Sequence, residues 1–275
     1  MNFCVSDPEE KMFEHDGALT NFRTEPLEEY REIVLRLKES LDAPEGELYG
    51  SDGGVLAYRT REKMICYYGC YRSGWDKGYM RISRGANATC VQLRKDNDKI
   101  CLYSGNALEA MELQHHLVRN GGFLLHASYI DVNGEAILFT APSGTGKSTQ
   151  AALWCDLRGA ELINGDRAAV TIGEKGAFAC GVPYSGSSQV RKNVTCPLKA
   201  VVVLSQEKET TVKRMETMTA FRSIWEGCSV NTWDPEDMNL CAQAVMGLLQ
   251  RVPVYHLACT PDESAVRILE EALGK

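Results

Sequence analysis

The stretch Ala141-Pro-Ser-Gly-Thr-Gly-Lys-Ser-Thr149 constrains this chain more than any other. Glycines at 144 and 146 let successive backbone amides turn inward in a way that residues with side chains resist. An apolar run, Ala136-Ile-Leu-Phe139, leads in, and Ser148–Leu157 reads as a helix. Strand, glycine-rich turn and helix in that order place a nest of N–H groups at the positive end of a helix dipole, which suits an anion. The residues match the phosphate-binding loop G-x-x-x-x-G-K-[ST] with Ala141 in place of the first glycine. Ser143, Gly144, Thr145, Gly146, Lys147, Ser148 and Thr149 are therefore expected to bind ATP or GTP. In that arrangement Lys147 reaches the terminal phosphates and the Ser148 hydroxyl holds Mg2+. The bland alternative is a glycine-rich strand-to-helix turn with a solvated lysine.

A second element should supply an acid. Leu162-Ile-Asn-Gly-Asp166 is an apolar strand ending in an aspartate nineteen residues after Lys147. Asp166 is expected to serve as a metal ligand or as acceptor of a substrate hydroxyl proton; the alternative is a turn aspartate at the Gly-Asp corner. Further on, Arg191 and Lys192 stand in a Gly/Ser-rich stretch, Gly181–Asn193, and are the extra cations that would close over a transferring phosphate. A solvated loop charge is the competing reading. Tyr184, Ser185 and Ser187 are candidate substrate contacts on proximity in the chain only.

From His126 through Asp131-Val-Asn-Gly134 to Ser143–Ser148, then Arg158-Gly159, Leu162 and Asp166, the chain resembles the catalytic domain of bacterial HPr kinase/phosphorylase. That family shares its phosphate-loop architecture with the ATP-type phosphoenolpyruvate carboxykinases. The resemblance covers Leu125 to Val170. It implies transfer of a nucleotide phosphoryl group to a serine hydroxyl, with Asp166 as base, Lys147 as phosphate clamp, Ser148 and Asp166 at the metal, and His126 beside the site. It also implies an oligomer. A core histidine on a strand is the alternative for His126. Two features depart from the family pattern. Gly165-Asp166 stands where the family has two aspartates, and Gly181–Asn193 replaces its E-x-R-G-L-G-I stretch. The acceptor expected is accordingly something other than HPr.

The rest of the chain sets the frame. Its 275 residues are 44% hydrophobic and 24% charged, as in a folded domain or two. The longest apolar run is the five residues Ala200–Leu204, which excludes a membrane-spanning helix. The opening residues lack the basic start and apolar stretch of a secretory signal, and the eleven cysteines show no metal-ligand spacing, so a reducing cytoplasm is expected. Net charge is −7, with −8 in residues 1–50 and +1 in the remainder. No clustered basic surface suited to nucleic acid follows from that balance. Tyrosines and bases interleave between Ser51 and Tyr103, a pattern that suits single-stranded nucleic acid but is more simply a sheet with aromatics inside.

Glu25–Leu41 reads as an amphipathic helix, with Leu27, Tyr30, Val34, Leu37 and Leu41 at steps of three and four. Ala43–Gly54 reads as a linker. Val55–Thr60, Met64–Cys70, Tyr79–Ser83, Thr89–Leu93 and Ile100–Tyr103 read as strands of a mostly antiparallel sheet, with a turn at Asp96-Asn-Asp98. Residues 1–105 thus form a smaller, mostly β region, assigned to acceptor recognition. Residues 106–275 form an α/β domain, a mixed sheet with flanking helices around the phosphate loop. Asn-Gly at 133–134 marks a hairpin; Asp234-Pro235 and the box Thr260-Pro-Asp-Glu263 mark two helix starts.

The leading functional expectation is a cytoplasmic, Mg2+-dependent kinase acting on a hydroxyl of a peptide, protein or small molecule, with no nucleic acid or membrane partner. A nucleotide-binding regulator with little turnover and a carboxykinase-like enzyme are the alternatives. A transporter ATPase is disfavoured because no L-S-G-G-Q-like signature is present.

Overall fold

A computed structural model describes residues 3–6, 22, 30–71, 73–86, 88–95, 111–186 and 188–274. The chain divides into two compact units, Met1–Glu112 with Thr232–Pro235, and Leu113–Asn231 with Glu236–Lys275. The sequence-based boundary at 105–106, the strand at Ile100–Tyr103 and the turn at Asp96–Asp98 fall outside the described residues.

The first unit is a sheet. Its strands are β1 (Phe3–Ser6), β2 (Arg31–Lys38), β3 (Glu47–Asp52), β4 (Val55–Arg59), β5 (Met64–Tyr68), β6 (Met80–Arg84) and β7 (Ala88–Arg94). They lie in the order β1-β2-β7-β6-β5-β4-β3. β3 to β7 form an antiparallel meander, while β2 runs parallel to both β7 and β1. Ile65, Tyr67, Met80, Ile82, Val91 and Leu93 are fully buried.

Two expectations fail here. Arg31–Lys38 is a strand, not part of a helix from 25 to 41; residues 25–29 are not described. The helical spacing is real, but Ile33, Leu35 and Leu37 also recur at every second position, and of these Ile33 and Leu35 are buried, while Val34 between them is only partly buried and Tyr30 stays exposed. β3 lies inside the expected linker. It is an exposed edge strand, so it carries no apolar pattern to announce it. Gly50 admits a close approach: a Cβ there would lie 2.5 Å from the Trp233 carbonyl oxygen.

Among the described residues of this unit, one ion pair is buried on both sides. The Arg84 guanidinium lies 2.8 Å from the carboxylate of Glu112, which also accepts a 2.9 Å hydrogen bond from the Tyr68 hydroxyl. Burial and the Glu112 charge hold the Tyr68 hydroxyl well above its ordinary range, and burial pushes the Cys66 thiol up to about 12.

The second unit holds a mixed sheet. Helix α1 (Leu113–Arg119) precedes the long strand β8 (Gly122–Val132), which turns back into β9 (Glu135–Thr140). Asn133 and Gly134 have φ of 55° and 86°, the two left-handed residues of a tight hairpin. Then follow α2 (Lys147–Arg158), β10 (Glu161–Asn164), β11 (Arg167–Gly173), β12 (Gly176–Gly181), β13 (Thr195–Gln206), β14 (Thr211–Arg214), α3 (Thr217–Gly227) and the short β15 (Cys228–Ser229). α4 (Pro235–Leu249), β16 (Val254–Cys259) and α5 (Glu263–Leu273) complete the chain. The strand order is β10-β8-β11-β12-β13-β16-β14, with β9 between β8 and β13.

β9, β13 and β16 run parallel, and alternate side chains along β9 serve opposite faces. Ala136 and Leu138 pack with Ile224 of α3 and Val245 of α4. Ile137 and Phe139 pack with Trp154 of α2 and Leu269 of α5. A sheet covered on both faces explains the unbroken apolar runs in β9 and β13, and each fully buried Leu, Ile or Phe contributes about 1.5–3 kcal/mol. α5 begins two residues later than the expected box places it. Asp262, not Thr260, is the cap, accepting a 2.8 Å hydrogen bond from the Ser264 amide.

Among the described residues no helix is long and apolar enough to cross a membrane. Cys66, Cys70, Cys196, Cys241 and Cys259 are buried free thiols.

Candidate functional site

The loop 141–146 joins the buried end of β9 to the start of α2. Gly144 and Gly146 sit at φ of 80° and 115°, conformations that favour glycine, and Gly146 is the N-cap of α2 with no side chain capping the helix. The free amides of the first helical turn are thus turned toward the loop. Lys147 is 7% exposed, and its ammonium donates to the carbonyls of Ala141 at 2.9 Å and Pro142 at 3.3 Å, folding the loop over its own lysine. Ser143, Ser148 and Thr149 are exposed and Thr145 is half-buried. Gln206, at the carboxyl end of β13, donates to the carbonyls of Gly144 and Thr145 at 3.5 and 3.4 Å. The loop therefore stands at the carboxyl ends of parallel strands, where open α/β sheets bind ligands.

Asp166 comes from an interruption in a ladder. β10 and β11 both pair antiparallel with β8, at residues 129–131 and 122–126, and Gly165-Asp166 bridges the gap between them. The Asp166 carbonyl accepts from the Ala127 amide at 2.9 Å, and the Gly165 carbonyl from the Ser128 hydroxyl at 3.1 Å. The break in pairing re-aims the Asp166 side chain out of the ladder. Its carboxylate lies 3.4 Å from His126 Nε2 and 3.2 Å from Arg167 Nε.

The electrostatics join the two halves. Burial lowers the Lys147 ammonium's pKa, and the Asp166 charge partly restores it. Burial also lowers the His126 pKa, with the Lys147 and Arg167 charges adding to the effect and Asp166 opposing it. His126 is therefore neutral at pH 7, a donor or acceptor rather than a cation. Lys147, Asp166, His126 and Arg167 thus form one charge-coupled group.

The segment 182–191 lies against the Asp166 corner. A Cβ on Gly165 would strike the Ser188 hydroxyl, and one on Gly186 would lie 3.0 Å from Asp166 Cβ. Arg167 spans this contact: its guanidinium donates to the Ser229 hydroxyl at 2.7 Å and lies 5.6 Å from the centre of the Tyr184 ring. Arg191 donates to the Ser185 hydroxyl at 2.6 Å and bridges to Asn164 through the backbone. Tyr184, Ser185 and Arg191 are thus gathered beside Asp166. Lys192 is not gathered with them, because its ammonium is 2.6 Å from the Glu161 carboxylate. Ser187 lies outside the described residues.

Three participants carried no motif of their own: Arg167, Asn164 and Gln206. Only Arg167 had a signal in the sequence, its place next to Asp166.

The family described as SynChlorMet cassette protein ScmC matches residues 89–270, well over half of the chain, and the chain belongs to that family. No curated protein matches. Among solved structures, the chain is similar to the HPr(Ser) kinase/phosphatase from Coxiella burnetii, at 13% identity over 55% of this chain and 87% of that one, with a TM-score of 0.30. A likeness that slight leaves the function to the geometry of the site.

Proposed function

We propose that this ScmC-family chain is a Mg2+-dependent phosphotransferase that binds ATP or GTP at Ser143–Thr149 and transfers the γ-phosphoryl group to a hydroxyl. The acceptor is a peptide, protein or small molecule other than HPr. The observation that carries this reading is the placement of Lys147 at the head of α2, in a glycine turn at the carboxyl ends of the parallel strands, together with the Asp166 carboxylate 3.4 Å from His126 at the β10–β11 corner. A phosphate cradle and a carboxylate base are the two parts that phosphoryl transfer requires.

In this reading the backbone amides of the glycine turn and Lys147 hold the phosphate oxygens. Lys147 leaves its two carbonyl partners to do so. The acceptor hydroxyl gives its proton to the Asp166 carboxylate as its oxygen bonds to the γ-phosphorus and the bond to the β-phosphate oxygen breaks, releasing the nucleoside diphosphate. Neutral His126 holds the Asp166 carboxylate or a phosphate oxygen in line. The Ser148 hydroxyl and the Asp166 carboxylate are hard oxygen donors of the kind Mg2+ takes. When bound there, Mg2+ would neutralise charge on the phosphate oxygens. Catalysis rests on positioning and charge.

A second reading, a nucleotide-responsive regulator with little turnover, draws support from the engagement of the Asp166 carboxylate by both Arg167 and His126. Calorimetric titration with MgATP, comparing the native chain with Lys147→Ala, tests the binding half. Native affinity with loss in the variant is expected of both readings, and equal affinity in the two would refute the phosphate loop. Label transfer from ATP then separates them.

A further inference from the structure

Asn164 has no part in the mechanism above, yet it is the most constrained polar side chain beside the site. It is fully buried at the end of β10. Its Oδ1 accepts from the amides of Asp166 and Arg167, both at 2.9 Å. Its Nδ2 donates to the carbonyls of Val182 at 3.0 Å and Tyr184 at 2.7 Å. A carboxamide has two donor hydrogens and an oxygen with two lone pairs, so all four positions are taken. One pair of bonds fixes the corner that presents Asp166, and the other fixes the segment that lies across it.

The contacts around Asn164 are tight on both sides. Gly165 has no room for a side chain because Ser188 is there, and Gly186 rests on the Asp166 side chain. A shift of the backbone at Val182, Tyr184 or Gly186 is therefore felt at Asp166, through Asn164 for the first two and by direct contact for the third. No carboxylate, hydroxyl or aliphatic side chain of similar size can both donate twice to the loop and accept twice from the corner.

We propose that Asn164 is a positioning residue for the phosphotransfer base: it locks Asp166 in register with the Val182–Arg191 segment, so that the acceptor held by that segment meets the carboxylate. This rests on the proposed phosphotransferase reading. Asn164 does not touch the nucleotide. Its removal lowers turnover and leaves MgATP affinity in place, and it acts only through Asp166.

The test is a double-mutant cycle on the full chain. The native chain, Asn164→Ala, Asp166→Asn and the double variant are compared by the rate at which label leaves the γ position of MgATP, to water or to a mixture of hydroxyl-bearing peptides and metabolites. Circular dichroism and calorimetric MgATP affinity are recorded for each. Asn164→Ala is expected to slow label loss by about tenfold or more in the native background, the scale of losing hydrogen bonds that place a reacting group. In the Asp166→Asn background it is expected to change nothing. Should the alanine variant not fold, Asn164→Ser keeps a hydroxyl that can accept from the corner amides and serves in its place, with a smaller loss and the same dependence on Asp166.

Equal slowing in both backgrounds would make Asn164 merely structural and overturn the proposal, as would a native rate in both Asn164 variants. If no label leaves ATP with the native chain, or if Asp166→Asn is as fast as native, the phosphotransferase reading itself fails and the inference fails with it.

Discussion

Gly165 and Ser188 occupy adjoining space so fully that a methyl group on Gly165 would strike the Ser188 hydroxyl and come within 2.9 Å of its Cβ. The Ser188 side chain fills the space beside the turn that presents Asp166. We predict that Gly165→Ala destabilises the chain by about 1–3 kcal/mol, the usual cost of overpacking. Ser188→Gly in the same chain should recover most of the loss. Denaturant melts of the single and double variants measure both values.

The backbone of the glycine turn before α2 makes a separate prediction. A Cβ on Gly146 would have nothing within 4 Å, yet the residue holds φ at 115°. Gly146→Ala therefore meets no steric neighbour and costs only backbone strain, roughly 1–3 kcal/mol. That cost should appear in thermal melts, together with weakened MgATP binding in calorimetry as the turn relaxes.

Much of this arrangement was legible in the sequence where local chemistry and tertiary packing agree. Asn133-Gly134 makes the hairpin it announces, and Glu161–Asn164 is the strand its apolar residues suggest. Lys147 stood out through the loop motif and Asp166 as the acid ending an apolar strand, while His126 was marked only by the family resemblance. β2 was misread because its residues satisfy both periods, and pairing with β7, distant in the chain, decides between them. β3 was missed because an exposed edge strand needs no apolar alternation. Asn164 and Gln206 were invisible for a related reason: their roles are hydrogen bonds to carbonyls 18 to 62 residues away, which no local pattern records.

The buried pair in the first unit gives a stability prediction independent of function. Glu112 is fully buried and its carboxylate lies 2.8 Å from Arg84, itself 7% exposed. Glu112→Ala removes the buried carboxylate that Arg84 and Tyr68 share and should cost about 3–5 kcal/mol in denaturant unfolding. A loss under about 1 kcal/mol would show that Arg84 finds other compensation.

His126 sets the sign of one pH effect. Its folded pKa lies below the ordinary 6.5, from burial first and then from the Lys147 and Arg167 charges, against Asp166. The unfolded chain thus binds the proton more readily. The stability His126 contributes is full above pH 6.5 and declines as pH falls from there toward its folded pKa. Melting temperature should fall across that window in the native chain and fall less in His126→Gln. Identical pH profiles for the two chains would remove His126 from the effect.

Transfer of γ-label from MgATP, native chain against Asp166→Asn, tests the central claim most directly. The acceptors are fractionated lysate, peptides and small hydroxyl-bearing metabolites. The account predicts a labelled peptide, protein or metabolite with the native chain and loss of about a hundredfold or more in Asp166→Asn measured at saturating nucleotide, the scale of removing a general base. Equal labelling by both chains, or nucleotide bound with no label moved to any hydroxyl acceptor, would contradict it.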